Sequence, residues 1–295
     1  MQFIPGNNIE HLNVSQPYTM KTILAPTDFS ASSLNAVNYA ADLAVIIKAK
    51  LVLFHAIPFP IAVSEISVPA DFIDDMMEVS ERDMNELSEN IQARTNNKIS
   101  ISTEIKIGTV EQEIAGISSR ERPLAIVLGM RSGKSLERAL MGSSIFHIMN
   151  HIAFPTLVIP ENARFREIKN IGLACDLKKV DDKMPFEAIA EWLSLFKADL
   201  EIINIGKGNK EFEADQLVES RSIQNRLAAF KPRFHFLKGD NIAAKFNEFV
   251  NTHPLDLLMV FPRKHGIFNL FLKKKSQFIV NHSQSPILSI HESKD

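Results

Sequence analysis

The second half of this 295-residue chain repeats the first, and that repeat limits the fold more than any other feature. Residues Lys21 to Asp28, KTILAPTD, align with Lys169 to Asp176, KNIGLACD, at an offset of 148. The run AKLVLFHAI from Ala49 matches ADLEIINIG from Ala198 at an offset of 149. Beyond it the offset reads as a constant 131, pairing Gly108 with Gly239, Pro123 with Pro254, Asn150-His151 with Asn281-His282 and Pro155 with Pro286. The second copy has therefore lost about 18 residues between its second and third strands. The expected organisation is a leader at 1–19, a first domain at 20–160, a linker (ENARFRE) at 161–167, a second domain at 168–291 and a tail at 292–295. The leader lacks the basic start and continuous apolar stretch of a signal peptide, and reads as disordered or as a misassigned start ahead of Met20.

Each copy alternates two periods. TILAP, LVLFHAI, residues 99–107, LAIVLG and TLVIP have strand length and β-branched or aliphatic composition. Helical patterns separate them. Behind the capping candidates Ser30, Ser32 and Ser33, residues Leu34, Val37, Ala41, Ala44 and Ile47 follow 3–4 spacing, and Phe186, Ile189, Leu193 and Phe196 do so in the second copy. A further amphipathic helix is expected over 71–89, with Phe72, Met76, Val79 and Leu87 inward. Strands alternating with helices become parallel strands joined by right-handed crossovers, and continuous apolar runs mark strands covered on both faces. The expected fold class is α/β: two doubly wound, Rossmann-like domains, each a five-stranded parallel sheet with helices on both faces.

Ligands of such folds sit beyond the carboxyl ends of the strands, where strand order reverses, so the informative loops follow Pro26, Ile57, Ile107 and Leu128. The loop after Leu128 reads GMRSGKSLERALMGSS, then IFHIMNH as a helical turn. Glycines admit close backbone approach, and Gly142-Ser143-Ser144 at a helix start presents N–H groups, hydroxyls and a positive dipole end to an anion. Arg131, Lys134 and Arg138 add positive charge. Gly129, Arg131, Ser132, Gly133, Gly142, Ser143 and Ser144 are thus the phosphate-site candidates. The alternative is that Gly129 only ends a strand and Gly-Ser-Ser only caps a helix. A P-loop is excluded by spacing: Gly129 stands four residues before Gly133, not five, and the loop follows the fourth strand rather than the first.

Together KTILAPTDFS, LVLFHAI and VLGMRSGKSLERALMGSSIFHIMNHIAFPTLVIP resemble the universal stress protein family over residues 20–160, and more faintly over 168–291. The chain is similar to tandem two-domain members, whose fold is adenine-nucleotide alpha-hydrolase-like. ATP-binding members carry Gly, two residues, Gly, nine residues, then Gly-Ser or Gly-Thr. Gly129 and Gly142-Ser143 hold the outer spacing, while Ser132 stands at the middle glycine. The resemblance implies an adenine nucleotide, ATP with its Mg, in the first domain alone, with Pro26, Thr27, Asp28 and Ala56 at the nucleoside end. Read from residues alone, Asp28 can instead cap the helix that begins near Ser30. The resemblance further implies that the two domains pack through their edge fifth strands, TLVIP and ILSIH, as a pseudo-dimer within one chain; pairing into a homodimer stays open.

In the second copy, Val260 is expected opposite Gly129, and Lys264 and Lys273-Lys274 opposite Gly133 and Gly142-Ser143, so the site is expected to be lost there. The basic run at 262–266 and 273–275 reads as a solvated loop. His147 and His151 have an i,i+4 spacing that suits zinc but lack a third ligand, and no metal or catalytic residue is assigned. Composition narrows the partners. A net charge of -2 removes the footprint of a nucleic-acid binder, a single cysteine, Cys175, suits a reducing compartment, and no apolar run reaches the roughly 18 residues of a membrane span. The expectation is a cytoplasmic, non-enzymatic stress-response module with an unidentified protein partner. Its rivals are a nucleotide-free interaction scaffold and, less favoured, an ATPase or nucleotide-dependent transferase.

Overall fold

The computed structural model describes residues 20–58, 70–130, 143–177, 180–205, 214–237, 242–261 and 285–291. The leader and the tail lie outside them. The first half runs β1 (Thr22–Pro26), α1 (Ala31–Ile47), β2 (Lys50–Ile57), α2 (Ala70–Arg94), β3 (Ile101–Ile107), α3 (Val110–Glu121), β4 (Ala125–Met130), α4 (Ser143–His151) and β5 (Thr156–Pro160). The second runs β6 (Asn170–Cys175), α5 (Val180–Lys183), α6 (Phe186–Phe196), β7 (Asp199–Ile205), α7 (Ala214–Arg226), β8 (Arg233–Leu237), α8 (Ile242–Thr252), β9 (Leu257–Val260) and β10 (Ile287–Ser289).

The ten strands of the described residues form one sheet in the order β3-β2-β1-β4-β5-β10-β9-β6-β7-β8. Each half has the order 3-2-1-4-5, parallel throughout, with the strand order reversing between its first and fourth strands. The halves join where β5 meets β10 antiparallel, Val158 opposite Ile287, Leu157 opposite Leu288 and Thr156 opposite Ser289. That pairing satisfies the N–H and C=O groups that a fifth strand ending its sheet would leave bare. The core on the α1 and α6 side is continuous across the junction, from Ile23 and Leu157 to Leu288 and Trp192. On the other side, Leu24, Phe54 and Ile126 pack under α3 and α4, and Ile203 and Leu258 pack under Phe246 and Phe249 of α8.

Helix α1 lies close on the sheet because its buried face is built from small residues, Ala36, Ala40, Ala41 and Ala44, with Val37 and Leu43 between them. Helix α2 departs from expectation. Phe72 and Val79 are exposed, and the inward stripe is Ser80, Met84 and Ile91 with Leu87 half-buried, one helical step round from the expected face. The apolar count there misled because Phe72 and Val79 fall outside the strip that β2 and β3 cover.

The second half carries one polar cluster with no counterpart in the first. Glu201 on β7 is buried and accepts hydrogen bonds from Arg233 Nε at 2.9 Å and from His235 Nε2 at 2.6 Å. Burial works to raise its carboxyl, but the Arg233 and His235 hydrogen bonds and charges outweigh that and hold it below the ordinary range. A depressed folded value means stability that is present above the unfolded value, near 4.5, and is lost as pH falls through the folded one. Glu201→Gln is accordingly expected to lower Tm at pH 7, with the difference from wild type closing below pH ~4. A Tm difference that stays constant from pH 7 to pH 3 rules out this linkage.

Candidate functional site

The strand order puts the ligand crevice between the carboxyl ends of β1 and β4, and the sequence candidates Pro26, Thr27, Asp28 and Gly129 flank that point. Thr27 is buried, Asp28 exposed and Ala56, beyond the end of the β1 pairing on β2, half-buried. Ser144 lies in the first turn of α4, and Ser143 begins that helix. Arg131, Ser132, Gly133 and Gly142 lie outside the described residues, as do Lys264 and Lys273-Lys274 of the second half.

The turn after β1 is tied together by its own side chains. Ser30 is the N-cap of α1, its side chain accepting from the Ser33 N–H. The Phe29 N–H donates to Thr27 Oγ1 at 3.0 Å, Thr27 Oγ1 and Ser33 Oγ are 3.1 Å apart, and Ser33 Oγ donates to the Ser30 carbonyl at 3.0 Å. Asp28 Oδ1 accepts the Ser30 N–H at 3.0 Å. The hydroxyls of this segment thus hold one another, as Ser, Thr and Asp side chains do at a helix start, and Ser30 takes the capping role expected of it. Phe29 takes a left-handed backbone, φ 58, and its ring lies 4.7 Å from that of His55. His55 Nδ1 donates to the Thr27 carbonyl at 2.8 Å.

The second half repeats this construction. Leu177, the counterpart of Phe29, is also left-handed at φ 49, and its N–H reaches Cys175 Sγ at 3.3 Å as that of Phe29 reaches Thr27. Asn204 replaces His55 and donates to the Cys175 carbonyl at 3.2 Å. Thr27, Phe29 and His55 are all replaced in the second half while Asp28 is retained as Asp176, yet both halves keep the left-handed residue and its N–H contact, so that contact is structural. The repeat alignment already paired Thr27 with Cys175 and His55 with Asn204; what it lacked was the hydrogen-bond partner.

Gly129 has a different role from the expected one. A Cβ built on it would lie 2.1 Å from the Ser32 carbonyl oxygen and 2.9 Å from the Ser33 nitrogen. The missing side chain makes room for the backbone of α1, not for a ligand. The structural register also corrects the alignment. Leu124 N–H bonds Thr22 O, and the equivalent bond in the second half is Asp256 N–H to Asn170 O, an offset of 132. The pairings Ile23 with Ala125 and Ile171 with Leu257 agree. Phe261, not Val260, therefore stands opposite Gly129. An aromatic side chain cannot share that slot with a helix, and the chain there is rebuilt: α6 starts late behind Pro185, and α5 is inserted ahead of it. Leu177, Val180, Met184 and Phe261, all buried, fill the carboxyl end of the second half. Glu219 on α7 pins the plug by accepting the Val180 N–H at 2.7 Å.

On the other side of the first-half crevice, burial works to raise the Glu111 carboxyl at the start of α3, and the influence of Ser144, its own backbone, Thr109 and His147 holds it below the ordinary range. Glu111 was not singled out from sequence. The pair His147 and His151 stacks at 4.3 Å, and His151 Nδ1 donates to the His147 carbonyl, an arrangement internal to α4. Among the described residues no three His, Cys, Asp or Glu side chains are grouped to hold a metal ion, and no helix is long and apolar enough to cross a membrane.

The sequence model of the universal stress protein family matches residues 19–160. Among solved structures, a universal stress protein from Archaeoglobus fulgidus superposes with a TM-score of 0.70 at 18% identity, covering 92% of this chain and 98% of its own. A functionally unknown protein from Pseudomonas aeruginosa gives 0.55 at 14% identity, covering 92% of each. A universal stress protein in complex with cAMP aligns with 47% of this chain and 96% of its own at 19% identity, with a TM-score of 0.35. No curated protein matches the sequence.

Proposed function

Through residues 19–160 this chain belongs to the universal stress protein family, and from that premise we propose that its first half is a cytoplasmic regulatory module that binds an adenine nucleotide, the second half serving as its nucleotide-free partner. The observation that supports this is the contrast at the two switch points. Asp28 is exposed at the carboxyl end of β1, where an acidic side chain can accept hydrogen bonds from a ribose. Its counterpart Asp176 is half-buried beside the Leu177, Val180, Met184 and Phe261 plug. Phosphates would meet the amino end of α4, and a Mg ion would arrive with ATP rather than bind a cage of this chain's own. No base or transition-state donor set is assigned, so the module senses rather than hydrolyses.

A nucleotide-free scaffold is the second reading, favoured by the two findings that Gly129 packs against the backbone of α1 and that the hydroxyls of the serine turn bond one another. Equilibrium binding of labelled ATP and AMP, with Mg present, separates the two. Micromolar binding that Gly142→Val abolishes and Asp28→Ala weakens at least about tenfold, at little cost in Tm, supports nucleotide binding. Failure of both nucleotides to bind at millimolar concentration leaves the scaffold. Multiple-turnover phosphate release that survives purification and vanishes in Asp28→Ala would overturn the non-enzymatic assignment.

A further inference from the structure

A cleft of about 410 Å³ lies where the two halves meet, between the start of β5 in the first and the end of β10 in the second. Pro155, Pro185, Ala188 and Ile290 form apolar walls, while His151, at the end of α4, and His291, just past β10, bring imidazoles to it. The cleft sits at the amino end of the first-half strands, away from the crevice at their carboxyl ends. The repeat shows what such a corner holds when it is filled. Helices α1 and α6 end alike, with Lys48 and Lys197 both left-handed and their N–H groups on the Ala44 and Leu193 carbonyls, so an offset of 149 puts Ala188 opposite Tyr39. Strands β5 and β10 pair at Leu157 and Leu288, and that offset of 131 puts His291 opposite Pro160. In the first-half corner Tyr39 is 3% exposed, and Phe165 of the linker packs edge-on against it with ring centres 5.1 Å apart. Asn35 fastens the linker there, donating to the Pro160 and Ala163 carbonyls at 3.2 and 3.1 Å and accepting from Arg164. At the other corner alanine stands where the first has tyrosine, and the corresponding space is the cleft.

We propose that the seam cleft binds a small planar aromatic molecule bearing a hydroxyl, of the phenol class, and that this ligand bridges the halves where Tyr39 and Phe165 do so in the first-half corner. The assignment stands apart from nucleotide binding. Shape supports the ring: the equivalent corner is filled by aromatic side chains, and the volume falls in the range of small-molecule sites. Chemistry supports the hydroxyl. His151 Nδ1 donates to the His147 carbonyl at 2.9 Å, so Nδ1 carries the proton and the neutral ring keeps Nε2 as an acceptor for an O–H. No carboxylate side chain is among the residues that line the cleft, so a cationic ligand would meet no opposite charge. Apolar walls with a few polar groups are the usual composition of a site for a small, mostly apolar molecule.

Titration of the whole chain followed by NMR of the histidine rings tests this, with phenol, with anisole, which lacks the O–H, and with cyclohexanol, which lacks the flat ring. Phenol is expected to shift the His151 and His291 ring signals, assigned through His151→Phe and His291→Phe, with a Kd of about 1 mM or below. Anisole and cyclohexanol are each expected to bind at least about fivefold more weakly, and the advantage of phenol over anisole to vanish in His151→Phe. Ala188→Tyr supplies the first-half side chain and is expected to weaken phenol at least about tenfold while leaving any nucleotide affinity within about twofold. Should that variant fail to fold, Ala188→Met fills the cleft with a smaller side chain and carries the same expectation. Equal affinity for the three compounds, or phenol binding undiminished in the filled variant, overturns the proposal. So does a wild-type titration that moves neither ring signal at about 10 mM phenol.

Discussion

Gly129→Ala is expected to cost about 3 kcal/mol of unfolding free energy, unusually much for the addition of one methyl group. The three nearest atoms to the new Cβ all belong to backbone, the Ser32 carbonyl oxygen and carbon at 2.1 and 2.5 Å and the Ser33 nitrogen at 2.9 Å. Backbone cannot swing aside as the end of a long side chain can, so the first turn of α1 has to lift from β4. That turn carries the Ser30 cap, the Thr27–Ser33 contact and the Asp28 hydrogen bond, and all three are disturbed together. Nucleotide affinity is expected to fall with stability. Gly116 supplies the control. It lies within α3 with nothing inside 4 Å of a built Cβ, so Gly116→Ala is expected to stabilise by about 0.5–1 kcal/mol through helix propensity alone. Urea denaturation of both variants decides the matter: a loss below about 1 kcal/mol for Gly129→Ala would show that α1 is not held against β4 as described.

The two glycines show where sequence stops informing. Apolar runs and 3–4 spacing revealed the strands and helices, and their alternation the parallel sense, because these patterns depend only on which side of an element faces the core; the repeat came from matching residues of the two halves. Which atom fills the space beside a glycine is a long-range fact that no local pattern carries. The same holds for Glu111 and Ser144, more than thirty residues apart in sequence and brought near each other only because α3 packs against α4. The one-residue slip at β9 has a local cause. Pro123-Leu124 and Pro254-Leu255 are identical dipeptides and draw the alignment to 131, yet Asp256 takes the backbone position of Leu124. Its carboxylate then accepts the Lys169 and Asn170 N–H groups at 2.9 Å each, locking the shifted register. A match of residue names was weaker than a pair of charge-assisted hydrogen bonds.

Phe261→Ala, at the position opposite Gly129, is expected to cost about 3–5 kcal/mol. Phe261 is 6% exposed and belongs to the same core as Leu177, Val180 and Met184, so truncation leaves a hole rimmed by side chains that are already fixed. Part of that loss is the aromatic surface returned to a cavity, and part is the failure of α5 to close over it. Glu219 holds Val180 by its N–H, and Arg226 of the same helix lies 4.0 Å over the Phe186 ring, so the plug is tied at both ends to α7 and cannot collapse inward freely. The hole is apolar and offers a nucleotide no hydrogen-bond partner, so the number of nucleotides bound per chain is expected to stay unchanged in Phe261→Ala. Thermal denaturation gives the first quantity and calorimetric stoichiometry the second. A loss under about 1 kcal/mol would mean that Phe261 does not replace the helix backbone that Gly129 admits. A second binding event would mean that one side chain alone, rather than the rebuilt path from Leu177 to Met184, had closed the second half.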